Sequence, residues 1–165
     1  MTIIVYTIGH STRGLYEFIE LARKYDIRVI VDVRRWPTSR KFPWFSRSIL
    51  EVALEVNGIH YVWLGRDLGG YRPGGYVNYM STSEFCKGLK ALIGLIECCH
   101  GRTALMCRER LWFKCHRRFI SHALACLGYK IIHIIDVDRI QEHKLKEEYC
   151  TIPCIMGMRR RFRAE

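Results

Sequence analysis

Between positions 107 and 117 the chain carries two thiols, a carboxylate, an imidazole and, directly after the imidazole, a guanidinium: Cys107, Glu109, Cys115, His116 and Arg117. A cysteine flanked by histidine and arginine is a candidate nucleophile, because nearby positive charge favours the thiolate. Glu109 is a candidate acid or base. Two other uses of the same residues stay open, a metal centre on Cys107, Cys115 and His116 and a Cys107–Cys115 disulfide. The run follows a short apolar segment, residues 103–106, that reads as a buried strand. It leads into a helical pattern at Ile120, Ala123, Leu124 and Leu127, which Gly128 closes. A strand, a polar loop and a helix N-terminus together make a natural anion site, since exposed helix N–H groups attract negative charge.

Similar chemistry follows other apolar runs. His10 and Ser11 come after residues 3–8; Asp32 ends residues 28–33 and is followed by Arg34, Arg35 and Arg40. The candidate catalytic set is Cys107, Glu109, Cys115, His116 and His10. The candidate substrate-binding set is Ser11, Asp32, Arg34, Arg40 and Arg117. Ser11 suits a helix cap better than a nucleophile. The competing structural explanation is a buried ion-pair network of Asp32, Glu109 and the arginines, without chemistry.

Five apolar segments alternate with helical patterns, which predicts an α/β fold: a single-domain, Rossmann-like three-layer sandwich with a mainly parallel five-stranded sheet. Residues 1–135 form the α/β core and 136–165 a C-terminal helix and basic tail of the same domain. Ser11 or Thr12 is expected to cap the first helix, Ser46 the second, Ser81 with Glu84 the third, and Asp138 a last charged helix reaching about Tyr149. Ligands of such sheets bind beyond the carboxyl ends of the strands. The polar residues singled out above all follow strands, so they should converge on one edge. The glycine- and tyrosine-rich segment 65–80 is a long loop of the kind that usually serves function.

The formal charge is +11. Residues 34–47 hold Arg34, Arg35, Arg40, Lys41 and Arg47 without an acid, and residues 159–165 add four arginines against Glu165. Such a field draws phosphate-rich partners, and Trp36, Phe42, Trp44 and Phe45 between the cations suit either packing or stacking on bases. No apolar run approaches the roughly 18 residues of a membrane span, and the start reads as strand, so the expected setting is cytoplasmic. Most of the eight cysteines should then be free thiols, with Cys86 and Cys126 packed in the core and Cys150 and Cys154 at most half a zinc site.

Four separated motifs resemble an uncharacterised bacterial and archaeal family catalogued as domain of unknown function 488. They are Thr7 to Ser11 (Thr-Ile-Gly-His-Ser), Asp32-Val33-Arg34 with Pro37-Thr38-Ser39-Arg40, Leu68-Gly69-Gly70, and the Cys-x-Glu-x5-Cys-His-Arg of residues 107–117. The resemblance spans about residues 3–135 and implies an α/β fold with these polar residues at one edge. It implies no particular reaction or cofactor. A weaker likeness of layout links the cysteine loop to rhodanese-like and cysteine-phosphatase domains, although Phe113 stands where the phosphatases carry arginine. The expected ligand is phosphate-containing, a nucleotide or nucleic acid, bound or turned over at the Cys/His/Arg site. The alternatives are a non-catalytic nucleic-acid-binding module and a metal-binding or rhodanese-like site.

Overall fold

The computed structural model describes residues 1–164. Strand β1 (Ile4–Gly9) starts near the middle of the sheet, and helix α1 (Leu15–Lys24) carries the chain to β2 (Val29–Asp32). Helix α2 (Arg47–Val56) leads outward to β3 (His60–Trp63). Two single-turn helices, α3 (Gly65–Leu68) and α4 (Tyr76–Tyr79), precede the long α5 (Ser83–Cys98). Strand β4 (Thr103–Cys107) then inserts between β1 and β2, followed by α6 (Arg117–Cys126), β5 (Lys130–Asp136), β6 (Arg139–Glu142) and α7 (Pro153–Ala164). The sheet order is β3-β2-β4-β1-β5-β6. The first five strands are parallel, and β6 is antiparallel to β5.

Periodicity explains the layers. Phe18, Ile19 and Ala22 of α1 and Leu50 and Leu54 of α2 repeat at helical spacing and bury one face of the sheet. Phe85, Leu89, Leu92 and Ile96 of α5, Ile120 and Leu124 of α6, and Ile155 and Met158 of α7 bury the other. Gly9 pairs with Cys107, and Asp32 with both Met106 and Trp63, so the carboxyl ends of four strands lie level. After β1 and β2 the chain leaves toward the α1 and α2 face; after β4 it leaves toward α6. Neighbouring strands that send their loops to opposite faces open a crevice between them. No helix among the described residues is long and apolar enough to cross a membrane.

Four features differ from the expectations. The sheet has a sixth strand. Where a charged helix was expected from Asp138, the chain turns back as β6, whose four residues are all exposed, then forms a 3-10 helix at Glu147–Thr151 before α7. An edge strand of Arg-Ile-Gln-Glu lacks the apolar alternation that marks a strand, and its charges protect the edge. Second, Cys86 bonds Cys154 and Cys126 bonds Cys150, leaving Cys98, Cys99, Cys107 and Cys115 free. Cys126 is buried in the core and Cys86 packs against it, as expected, but neither is a free thiol, and the half zinc site weighed for Cys150 and Cys154 gives way to the same two disulfides. They fasten the C-terminal segment to α5 and α6. Third, Gly14 rather than Ser11 or Thr12 precedes α1, and Thr82 rather than Ser81 caps α5, accepting the Phe85 N–H. Fourth, Ser46 precedes α2, but its hydroxyl bonds the Ser39 backbone instead of the helix.

Candidate functional site

The site begins where β1 and β4 run out. The His10 N–H donates to the Cys107 carbonyl and the Ser11 N–H to the Arg108 carbonyl, both at 2.9 Å, so the ladder continues past the strands. Gly9 makes this possible, because a Cβ there would fall 1.9 Å from the Glu109 carbonyl oxygen. Gly9→Ala should therefore push the turn at Glu109 and Arg110 outward and destabilise the protein by about 1–3 kcal/mol. Urea unfolding checks this; a variant as stable as the parent would mean the two loops are not locked together.

Asp32 is fully buried at the end of β2 and accepts from Arg34 Nε (2.9 Å), Arg34 Nη2 (2.7 Å) and the Tyr61 hydroxyl. Arg34 Nη1 reaches His10 Nε2 at 3.4 Å. Three of the five guanidinium N–H groups are thus committed, leaving two for a ligand. His10 donates Nδ1–H to the Ser11 carbonyl and stacks on Phe45 at 4.4 Å. Burial, then the charge of Arg34, push its pKa down to about 4. It is a fixed, neutral acceptor for Arg34 rather than a proton donor at neutral pH.

Cys107 ends β4, and Cys115 lies just before α6. Arg117 Nε donates to Cys115 Sγ at 3.2 Å, and its Nη2 donates to the Glu109 carbonyl, closing the loop between the two cysteines. A hydrogen bond from Cys107, together with Arg117 and His116, draws the Cys115 thiol down to about 5 against the opposing effect of burial. The same bond, and burial, hold the Cys107 thiol well above its usual value. His116 donates Nε2–H to the Val33 carbonyl at 2.7 Å, which leaves Nδ1 as its lone-pair nitrogen. Burial lowers its pKa as well.

Above these groups opens a cleft of about 750 Å³. Arg34, Arg35, Arg40 and Lys41 reach it from the loop after β2, Arg72 from the loop after β3, and Arg108 and Lys114 from the loop after β4. Glu109 is the one carboxylate among the lining residues. Of the seven cations only Arg34 has a salt-bridge partner among the described residues. Trp36 and Tyr71, both largely exposed, stand 5.6 Å apart at the mouth, and buried Tyr76 packs against the His116 ring.

His10, Arg34, Arg40, Cys107, Glu109, Cys115 and His116 therefore share one cleft. The other three candidates do not reach it. Asp32 and Arg117 are buried beneath the floor, where they hold Arg34 and Cys115, and Ser11 sits in the β1 turn at φ 51°. Arg117, at 1% exposure, turns its fork onto sulfur and backbone. Unsought in the sequence were Arg72, Arg108 and Lys114 and the pairing of Trp36, already a candidate for stacking, with Tyr71. Their signal was position alone, each lying on a loop that follows a strand.

The family model described as domain of unknown function DUF488 matches residues 14–124 of the 165. The chain belongs to this family. The DUF488 match contains every cleft residue except His10, and the Thr7 to Ser11 motif precedes it. No curated protein and no solved structure matches the chain.

Proposed function

We propose that the cleft binds a phosphate-bearing ligand, a nucleotide or a segment of single-stranded nucleic acid, and presents it to the Cys/His floor. One observation carries this reading: six cations without an acidic partner converge on a single cavity. Charges of one sign lining a cleft focus the field and raise the local concentration of anions. Arginine forks match phosphate oxygens, and the cavity volume falls in the range of small-ligand sites, about 300–1,000 Å³. The exposed Trp36 and Tyr71 suit a base stacked at the mouth. That pair also supports a second reading, binding of nucleic acid without turnover. In either case we place the protein in the cytoplasm, a placement its two disulfides accord with only where intracellular disulfides persist.

The test is affinity for labelled oligonucleotides and for a nucleoside triphosphate between low and high salt. Affinity should fall steeply with salt, and each of Arg40→Ala, Lys41→Ala and Lys114→Ala should reduce the slope of log affinity against log salt by about one. Binding that is absent, or indifferent to salt, overturns the proposal. His116→Ala separates the two readings, since it abolishes turnover under the first and spares oligonucleotide affinity under the second.

A further inference from the structure

The floor of the cleft converges more tightly than anion binding requires. One donor atom from each of Cys107, Cys115 and His116 lies within 4.8 Å of the other two. In a tetrahedral zinc site with bonds near 2.0–2.3 Å, donors stand about 3.5–3.8 Å apart, a contraction that small side-chain rotations supply. We propose that these three residues hold a thiophilic divalent cation, zinc above all, in a Cys2His set whose fourth position opens on the cleft.

The surroundings of the three groups favour a metal independently of their spacing. Ligating histidines as a rule donate the ring N–H that does not touch the metal to a carbonyl or carboxylate. His116 does so, through Nε2–H to the Val33 carbonyl at 2.7 Å, which fixes the ring and leaves Nδ1 to bind. Arg117 Nε donates to Cys115 Sγ at 3.2 Å, an N–H to sulfur bond that steadies a thiolate ligand. Both thiols are free, and two thiolates with one imidazole form a soft set that selects zinc over magnesium or calcium. The fourth position has room because residue 70 is glycine: a Cβ there would lie 2.9 Å from His116 Nδ1. All three residues and Gly70 line the cleft, so a water or a ligand oxygen can complete the tetrahedron. His122, His133 and His143, by contrast, are bonded in a line, with His133 Nδ1 on Thr7, and do not converge on a point.

The inference does not rest on the anion-binding reading, and separate measurements decide the two. The full chain, produced with zinc in the medium and purified without chelator under reducing conditions that spare the folded protein, should contain about one zinc per chain. Cobalt substitution should give a thiolate-to-metal charge-transfer band and the strong visible bands of a tetrahedral site. Cys107→Ser and His116→Ala should lose the metal while keeping their circular dichroism. Gly70→Ala, the smallest change, should weaken zinc binding by at least about tenfold. Cys98→Ser/Cys99→Ser should keep the metal. Less than roughly a tenth of an equivalent bound with the thiols reduced, and no cobalt–thiolate band, overturns the proposal. So does zinc retained by Cys107→Ser or lost from Cys98→Ser/Cys99→Ser. If the protein takes up no zinc yet binds oligonucleotides with the expected salt dependence, only the metal proposal falls.

Discussion

Reducing the two disulfides should lower the unfolding temperature by tens of degrees, and replacing either pair by serine should account for about half of the loss. The bonds close segments with sequence separations of 68 and 24 residues. For loops of those lengths the restriction of the unfolded chain is worth about 3–5 kcal/mol each. A domain is stable by only about 5–15 kcal/mol in total, so their joint loss is a large part of the whole. The damage should also be local at first. Both bonds fasten residues 150–154 to α5 and α6, where Cys150, Ile152, Ile155 and Met158 complete the core on that face. Hydrogen exchange should show α7 and the 3-10 helix before it opening in reductant while β1, β2 and β4 stay protected. Equal melting temperatures with and without reductant would mean that these sulfurs do not stabilise the protein in solution.

The parallel part of the fold was open to reading from the chain because its signals are local. Apolar runs such as Ile4–Gly9 and Thr103–Cys107 end at polar turns, and each helix between them carries its apolar stripe at helical spacing. The convergence at the carboxyl edge follows from topology: if the strands are parallel, the loops after them share one side. What stayed hidden depends on long-range pairing. Nothing in the spacing of eight cysteines says that Cys86 meets Cys154 or that Cys126 meets Cys150. Strand β6 is short, charged and solvated on both sides, so its pattern looks like loop or helix. Arg13, in the turn after β1, is buried by a long-range contact: its Nη2 donates to the Ile135 carbonyl at 2.6 Å, tying β1 to β5. Arg117 was legible as part of the site but not as a buried prop for Cys115, because burial of a guanidinium is decided by which carbonyls and sulfurs lie around it.

Acidification should destabilise this protein steeply between about pH 6.5 and 4, and a chain of three histidines is the main reason. Thr7 Oγ1 meets His133 Nδ1 at 2.7 Å, His133 Nε2 meets His143 Nδ1 at 2.9 Å, and His143 Nε2 meets His122 Nδ1 at 2.7 Å. All three rings are buried. A neutral imidazole offers one donor and one acceptor, so the run is satisfied while every ring is neutral. A second proton on two adjacent rings sets donor against donor, and a charge on any one of them is held away from water. Burial first, and then the neighbouring histidines and Arg117, Arg118 and Lys146, lower the pKa of His122 and of His143 to about 4 and that of His133 further still. These folded-state values lie below the unfolded value near 6.5. The unfolded chain therefore takes up protons that the folded chain refuses, and stability is intact above pH 6.5 and falls as the pH drops toward 4. At pH 5 each ring should cost about 2 kcal/mol, rising to about 3 below pH 4. His10, with its pKa also near 4, adds to the slope with the same sign. The contribution of the chain is isolated by His143→Gln, which should lower the proton uptake on unfolding by about one. Urea midpoints measured from pH 7.5 to 5 give both quantities, and a flat profile over that range would rule out neutral buried rings. The cleft should feel the change early. Trp112 stacks on His133 at 4.3 Å and belongs to the loop between Cys107 and Cys115, so its fluorescence should respond to acid before the fold as a whole is lost.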